Sequence, residues 1–461
     1  MSSPGPTTTA QPRDPRRGVA GPRARTRYLQ RRHAAATLAD HRAYYYDLCR
    51  LDGPLADEIG AFLGISGGQV TIKQLRVAPC ELPNAHRALR RALADWRYCG
   101  TTGPRDYQFT PIWAPIYRRV EVRPGRQREC LVEGTLLFEL PDGRRRVIVV
   151  EEEYRRGNIE FSFSLIGPRR EARELHAALQ AVARSMRRRH YLRRQVIRGD
   201  GTLLRLGQRV AWDDLALDPV VRNTLEQNIA CVLERGAAFR ASRVPWRRGI
   251  MLYGPPGNGK TMIGKVLASL GRATFMWITP ADFESRDYDL RDIFRLARKL
   301  RPTILFLEDL DFYAADRAYG AHGRLGELLA QMDGLERNDG LLIVATTNDL
   351  AAIEPALKDR PSRFDIRLEI GLPQFVARRQ IIAQQWANLD CPAELVDRAA
   401  TASADLSGAQ VRELAILTVQ GAIFRGAVGA DNRAQPHDAD LQAALTQLTG
   451  VSRQPLGFRA P

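Results

Sequence analysis

Residues 254–261 read Gly-Pro-Pro-Gly-Asn-Gly-Lys-Thr, behind the apolar run Gly249-Ile-Met-Leu-Tyr253 and ahead of Met262-Ile-Gly-Lys-Val-Leu-Ala268. Few local sequences constrain a fold this tightly. A buried strand, a glycine-rich turn and a helix start gather backbone N–H groups at the positive end of a helix, which suits phosphate. Gly254, Gly257 and Gly259 let the backbone curl, with Pro255, Pro256 and Asn258 completing the turn. Lys260 can reach the outer phosphates of a nucleotide, the Thr261 hydroxyl can hold Mg²⁺, and Met262 carries the loop into the helix. The chain has five lysines against 64 arginines, yet it keeps a lysine at this point. A compact ammonium and a planar guanidinium are not interchangeable there.

A second buried run, Thr303-Ile-Leu-Phe-Leu307, ends in Glu308-Asp-Leu-Asp311. Carboxylates at a strand end beside a phosphate loop fit two tasks: one acid in the Mg²⁺ shell and one polarising the attacking water. A third, Leu341-Leu-Ile-Val-Ala-Thr-Thr347, ends at Asn348, whose amide can position that water. Arg360-Pro-Ser-Arg363 then offers two guanidinium groups able to stabilise charge on a γ-phosphoryl group. Their distance along the chain makes a neighbouring subunit the natural recipient, which implies a ring.

The surroundings divide the chain. Residues 1–40 carry eight arginines and two aspartates without apolar periodicity and are expected to form a disordered basic tail. Residues 41–206 read as a mixed α+β domain for partner or substrate recognition. It has helical stretches near Tyr44–Leu63 and Ala85–Trp96, then strands over Glu129–Leu140, Arg146–Tyr154 and Ile159–Ile166 in an antiparallel meander. A helix over Arg169–Tyr191 places Leu175, Leu179, Val182 and Met186 on one face. Residues 207–373 alternate strands and helices as a parallel α/β sheet does, residues 374–450 read as a helical lid, and 451–461 as a tail. The basic run Met186-Arg-Arg-Arg-His-Tyr-Leu-Arg-Arg194 suggests nucleic acid, although cations also close helices.

No run approaches the ~18 apolar residues of a membrane helix. Six cysteines without a Cys-x-x-Cys pair point to a reducing compartment, and hence to a cytoplasmic protein, rather than to disulfides or zinc.

Over residues 210–430 the chain resembles the AAA family of ATPases. The resemblance rests on the phosphate loop, on Leu328-Leu-Ala-Gln-Met-Asp-Gly-Leu335, on Ala345-Thr-Thr-Asn348 and on Arg360-Pro-Ser-Arg-Phe-Asp365. It implies a P-loop NTPase fold, ATP and Mg²⁺ as cofactors, and a hexamer that remodels proteins. By resemblance Asp214 and Leu215 lie in the segment that pins adenine, and Gly408 and Ala409 in the lid turn near adenine and ribose. Asn348 becomes sensor 1, and Arg360 and Arg363 the arginine fingers. Two departures stand out. The strand-end acids run Glu308-Asp309, where most members have Asp-Glu, so Glu308 takes the metal shell and Asp309 the water. That order is similar to the branch holding the mitochondrial respiratory-complex chaperone. The stretch Asp282-Phe-Glu-Ser-Arg-Asp-Tyr-Asp-Leu290 lacks the glycine of a threading pore loop, although Phe283 and Tyr288 are present. The function expected is therefore an ATP-hydrolysing ring that remodels or translocates a protein client held by residues 41–206. The alternative is a nucleic-acid motor or loader.

Overall fold

The computed structural model describes residues 54–65, 69–102, 114–155, 158–284, 290–315, 324–333, 338–357, 363–389 and 391–451. The expected tails, Arg360 and Tyr288 lie outside them, as does the side chain of Phe283.

The N-terminal half is built on an antiparallel sheet: β1 (Val70–Val77), β2 (Arg97–Thr102), β3 (Ile116–Arg123), β4 (Arg126–Glu139), β5 (Arg145–Arg155) and β6 (Asn158–Pro168). Its order is β1-β6-β5-β4-β2, with β3 also on β4. The expected meander is β4-β5-β6, and alternation in Ile159–Leu165 buries Phe161, Phe163 and Leu165 completely. The three strands that the sequence does not announce lie at the margins, where residues such as Arg97, Tyr98 and Cys99 stay exposed. Helices Leu82–Ala92 and Ala172–Arg188 cover one face. Leu175, Leu179, Val182 and Met186 are all buried, as their spacing requires. The helix is shorter than expected at both ends. A short 3₁₀ turn, Arg169–Glu171, precedes it, and the chain leaves helical geometry at Arg189.

The second sheet is parallel: β7 (Val196–Arg198), β8 (Arg247–Tyr253), β9 (Thr274–Ile278), β10 (Thr303–Leu307), β11 (Leu341–Thr347) and β12 (Ile366–Glu369), ordered β12-β8-β11-β10-β9-β7. Every residue of β9, β10 and β11 is buried, as both faces carry helices. β7 pairs with β9 through Val196↔Phe275, so the chain joins this sheet before residue 207, where the second domain was expected to begin.

The basic run after Met186 is largely committed to the seam between the two halves. His190 and Leu192 are buried, Tyr191 donates its hydroxyl to the Cys80 carbonyl at 2.7 Å, and Arg193 donates to the Lys299 carbonyl at 3.2 Å. Across the same seam the Lys299 ammonium lies 2.9 Å from Glu81. The run is therefore not a continuous exposed stripe.

Four helices form the lid: Phe375–Gln385, Ala393–Ala402, Gly408–Phe424 and Asp438–Val451. They enclose their own apolar core around Trp386, Val411 and Leu414. Among the described residues no helix is long and apolar enough to cross a membrane.

Candidate functional site

The carboxyl ends of β8, β10 and β11 converge because their registers align: Tyr253 pairs with Thr347, and Leu307 with Ala345. The residues that follow these three strands therefore meet. The phosphate loop leaves β8 at Gly254, whose φ is +141°. A Cβ there would stand 2.4 Å from the Ile370 carbonyl oxygen, so no other residue fits without moving β12's exit. Gly259, also at positive φ, caps the helix Lys260–Ser269.

Lys260 is 6% exposed. Its ammonium donates to the carbonyls of Gly254 at 2.6 Å and Pro255 at 2.9 Å, and no carboxylate pairs with it among the described residues. Burial lowers its pKa, against the opposing pull of Asp309 and Asp311. A buried cation without a paired counter-ion, in a cradle of N–H groups, fits a phosphate chain. Thr261 stands exposed at the start of the same helix. We expect Lys260→Ala to lower ATP affinity at least ~10²-fold while the thermal midpoint moves little, because the ammonium faces the ligand side rather than the apolar core. Calorimetric titration with ATP measures this, and unchanged affinity would remove Lys260 from the site.

Glu308 and Asp309 diverge. The Glu308 N–H donates to the Ile278 carbonyl, and its carboxylate accepts from the Trp277 indole N–H at 2.9 Å. Asp309 has φ +49°, a left-handed conformation uncommon outside glycine, and its N–H donates to Thr346 Oγ1 at 3.0 Å. This turn aims the Asp309 side chain at the Asn348 amide, 3.4 Å away. Burial first, and then Asp311, push its pKa up, while Lys260 and the Asn348 hydrogen bond act the other way. Asp311 accepts from Thr347 Oγ1 at 2.9 Å and from the Asn348 N–H at 3.1 Å, and so fixes the turn carrying Asn348.

The lid closes on the loop. The Ala409 N–H donates to the Gly257 carbonyl at 2.8 Å, and the Gly408 N–H to Asn258 Oδ1 at 3.1 Å. Asn258 is thus a tie between loop and lid. Ser407 caps the helix Gly408–Phe424 by accepting from the Gln410 N–H. Asp214 accepts from the Ala211 N–H at 2.8 Å, and Leu215 lies in contact range of Gly259. The carbonyl of Asp213 receives Gln380 and Gln384 from the lid.

Arg363 is held elsewhere. Its Nε donates to Asp333 at 2.6 Å, and its carbonyl lies over Gly249, at the amino end of β8. The phosphate loop starts five residues further along, roughly 16 Å away at strand rise. The structure thus brings Lys260, Asp309 and Asn348 together and leaves Arg363 toward the other end of the sheet.

Two side chains that sequence reasoning did not assign shape the site, Trp277 and Asp311. Trp277 packs edge-on against Phe306, its ring centroid 5.2 Å away. Trp277→Phe keeps that packing and deletes the N–H. We expect it to raise the Mg²⁺ concentration for half-maximal turnover about tenfold, the scale of one hydrogen bond to a charged group. A magnesium titration of turnover that superimposes on the wild type would show that Glu308 needs no such support.

Residues 250–372 match the model of the ATPase family associated with various cellular activities (AAA). A proteasome-activating nucleotidase from Sulfurisphaera tokodaii is 31% identical over 205 residues, which cover 42% of this chain and 52% of that protein. The ATPase family gene 2 protein of Saccharomyces cerevisiae is 34% identical over 184 residues, covering 38% of this chain and 24% of that protein. An ATP-dependent zinc metalloprotease FtsH from Ureaplasma parvum is 33% identical over 193 residues, covering 39% and 26%. The chain therefore spans about half of the first relative and about a quarter of the other two.

Proposed function

We propose that this chain, whose residues 250–372 match the AAA family of ATPases, hydrolyses ATP in the cradle of Lys260 and uses the cycle to remodel or translocate a protein partner. The observation that carries the reading is the convergence of three strand ends. It sets the unpaired Lys260 ammonium, the Asp309 carboxylate and the Asn348 amide in one place. In this reading Lys260 and the loop N–H groups hold the phosphates. Asp309 accepts a proton from the attacking water, which Asn348 orients. Thr261 and Glu308 would hold Mg²⁺, which screens the phosphate charge.

The position of Arg363 supports assembly. At the amino end of β8 it serves a nucleotide only in an adjoining subunit, so the site is completed by a ring of copies, a hexamer by likeness to the family. The antiparallel sheet of residues 70–168 then presents the client. That some relatives are named for proteasome activation or proteolysis supports a protein client. A hydrolysis-blocked variant should hold that client: Asp309→Asn with ATP is expected to retain one protein that the wild type releases on turnover. Retention of no protein, together with turnover stimulated by DNA or RNA in a salt-sensitive way, would replace the protein client with nucleic acid.

A further inference from the structure

The N-terminal domain treats its arginines in two ways. Several of those away from the helix Leu82–Ala92 are matched to carboxylates: Arg97 to Glu139 at 2.7 Å, Arg118 to Glu152 at 2.8 Å and Arg119 to Glu129 at 3.0 Å. Around that helix they are not. Arg87, Arg90 and Arg91 on the helix, Arg123 on β3, Arg128 on β4 and Arg189 past the helix Ala172–Arg188 have no carboxylate partner among the described residues. These elements are packed together: Asn84 donates to the Met186 carbonyl at 3.0 Å, and His86 bonds the Leu131 carbonyl at 2.9 Å. Arg91, Arg123, Arg128 and Arg189 all disfavour charge on Arg87, after burial, and Arg90 and Arg128 do the same to His86. Helix-end placement accounts for Arg90 and Arg91 through the dipole, but not for Arg87, Arg123 or Arg128. Concentrated like charge destabilises a fold unless something outside it supplies the counter-charge.

We propose that this arginine cluster is the docking surface for an acidic polypeptide segment, a run of Asp and Glu side chains on the client. The inference rests on the reading of the N-terminal domain as the client-binding part. Planar guanidinium groups pair with carboxylates through two parallel bonds, and clusters of them recognise acidic motifs. The size of the surface favours a short peptide segment. Arg87 to Arg91 spans about 6 Å of helix, and the flanking carboxylates of Glu121 and Glu129, already paired to Arg205 and Arg119, would face a longer polyphosphate.

The test uses the full-length chain and a fluorescent peptide of ten glutamates, read by anisotropy. The triple variant Arg87→Gln, Arg90→Gln, Arg128→Gln should weaken binding at least tenfold and flatten its dependence on salt. A variant losing the same charge elsewhere, Arg173→Gln, Arg184→Gln, Arg209→Gln, should change it less than twofold. Basal ATP turnover should be unaltered in both, which reports that the fold is kept. Equal losses in the two variants, binding that neither alters, or a ten-nucleotide DNA bound more tightly than the peptide at one ionic strength would overturn the proposal. Since the readout is direct binding, such failure leaves the capture of a client by Asp309→Asn an independent result.

Discussion

Arg363→Ala is expected to leave ATP binding close to that of the wild type and to lower turnover by ~10³–10⁵, the range an arginine finger supplies in phosphoryl transfer. Arg363 sits at the amino end of the sheet and the phosphate loop at the carboxyl end. The substitution therefore spares the cradle of its own chain and removes the guanidinium that a neighbouring nucleotide would meet. It also breaks the pair with Asp333, so stability must be read alongside turnover. Arg363→Lys separates the two effects. It keeps a cation for Asp333 but loses the planar fork, and its turnover should stay low while its thermal midpoint recovers. Turnover restored in full by lysine would show that Arg363 acts only through Asp333.

Asp309→Asn is expected to bind ATP and to hydrolyse it ~10²–10⁴ times more slowly, the usual contribution of a general base. In the proposed mechanism the base acts in its ionised form. Burial and the neighbouring Asp311 favour the protonated form and so raise its pKa. Turnover should therefore fall, as pH is lowered, at a pH above the ordinary aspartate range, and that limb should vanish in the variant. Glu308→Gln should instead change the magnesium dependence, since Glu308 is held by Trp277, apart from Asn348. Exchange of the two phenotypes would reverse the roles of the acids.

Much of this was legible because it depends on local order. The phosphate loop, the apolar runs that became β8, β10 and β11, and the helix stripe Leu175–Met186 each need only short-range chemistry. The lid helices Phe375–Gln385, Ala393–Ala402 and Gly408–Phe424 begin just past Pro373, Pro392 and the Ser407 cap, which mark helix starts in the sequence. What escaped depends on strand pairing. Trp277 reaches Glu308 only because β9 and β10 align Trp277 with Phe306. β7 is three residues long within an arginine-rich stretch and has no periodicity to show. The run Met186–Arg194 looked like one basic surface, yet a seam between two sheets takes His190, Tyr191, Leu192 and Arg193 out of it. Charge along a sequence does not say which side chains a neighbouring element will cover.

The reading stands or falls on a site shared between subunits, and mixing two inactive chains addresses that directly. Arg363→Ala supplies a sound Asp309, and Asp309→Asn a sound Arg363. In assemblies shown by native mass measurement to contain both, some interfaces unite one sound acid with one sound arginine. ATP turnover of the mixture should then rise clearly above the sum of the separate variants. Turnover that stays at that sum in assemblies proven to be mixed, or a protein that remains monomeric with ATP and Mg²⁺, would contradict a composite site in a ring.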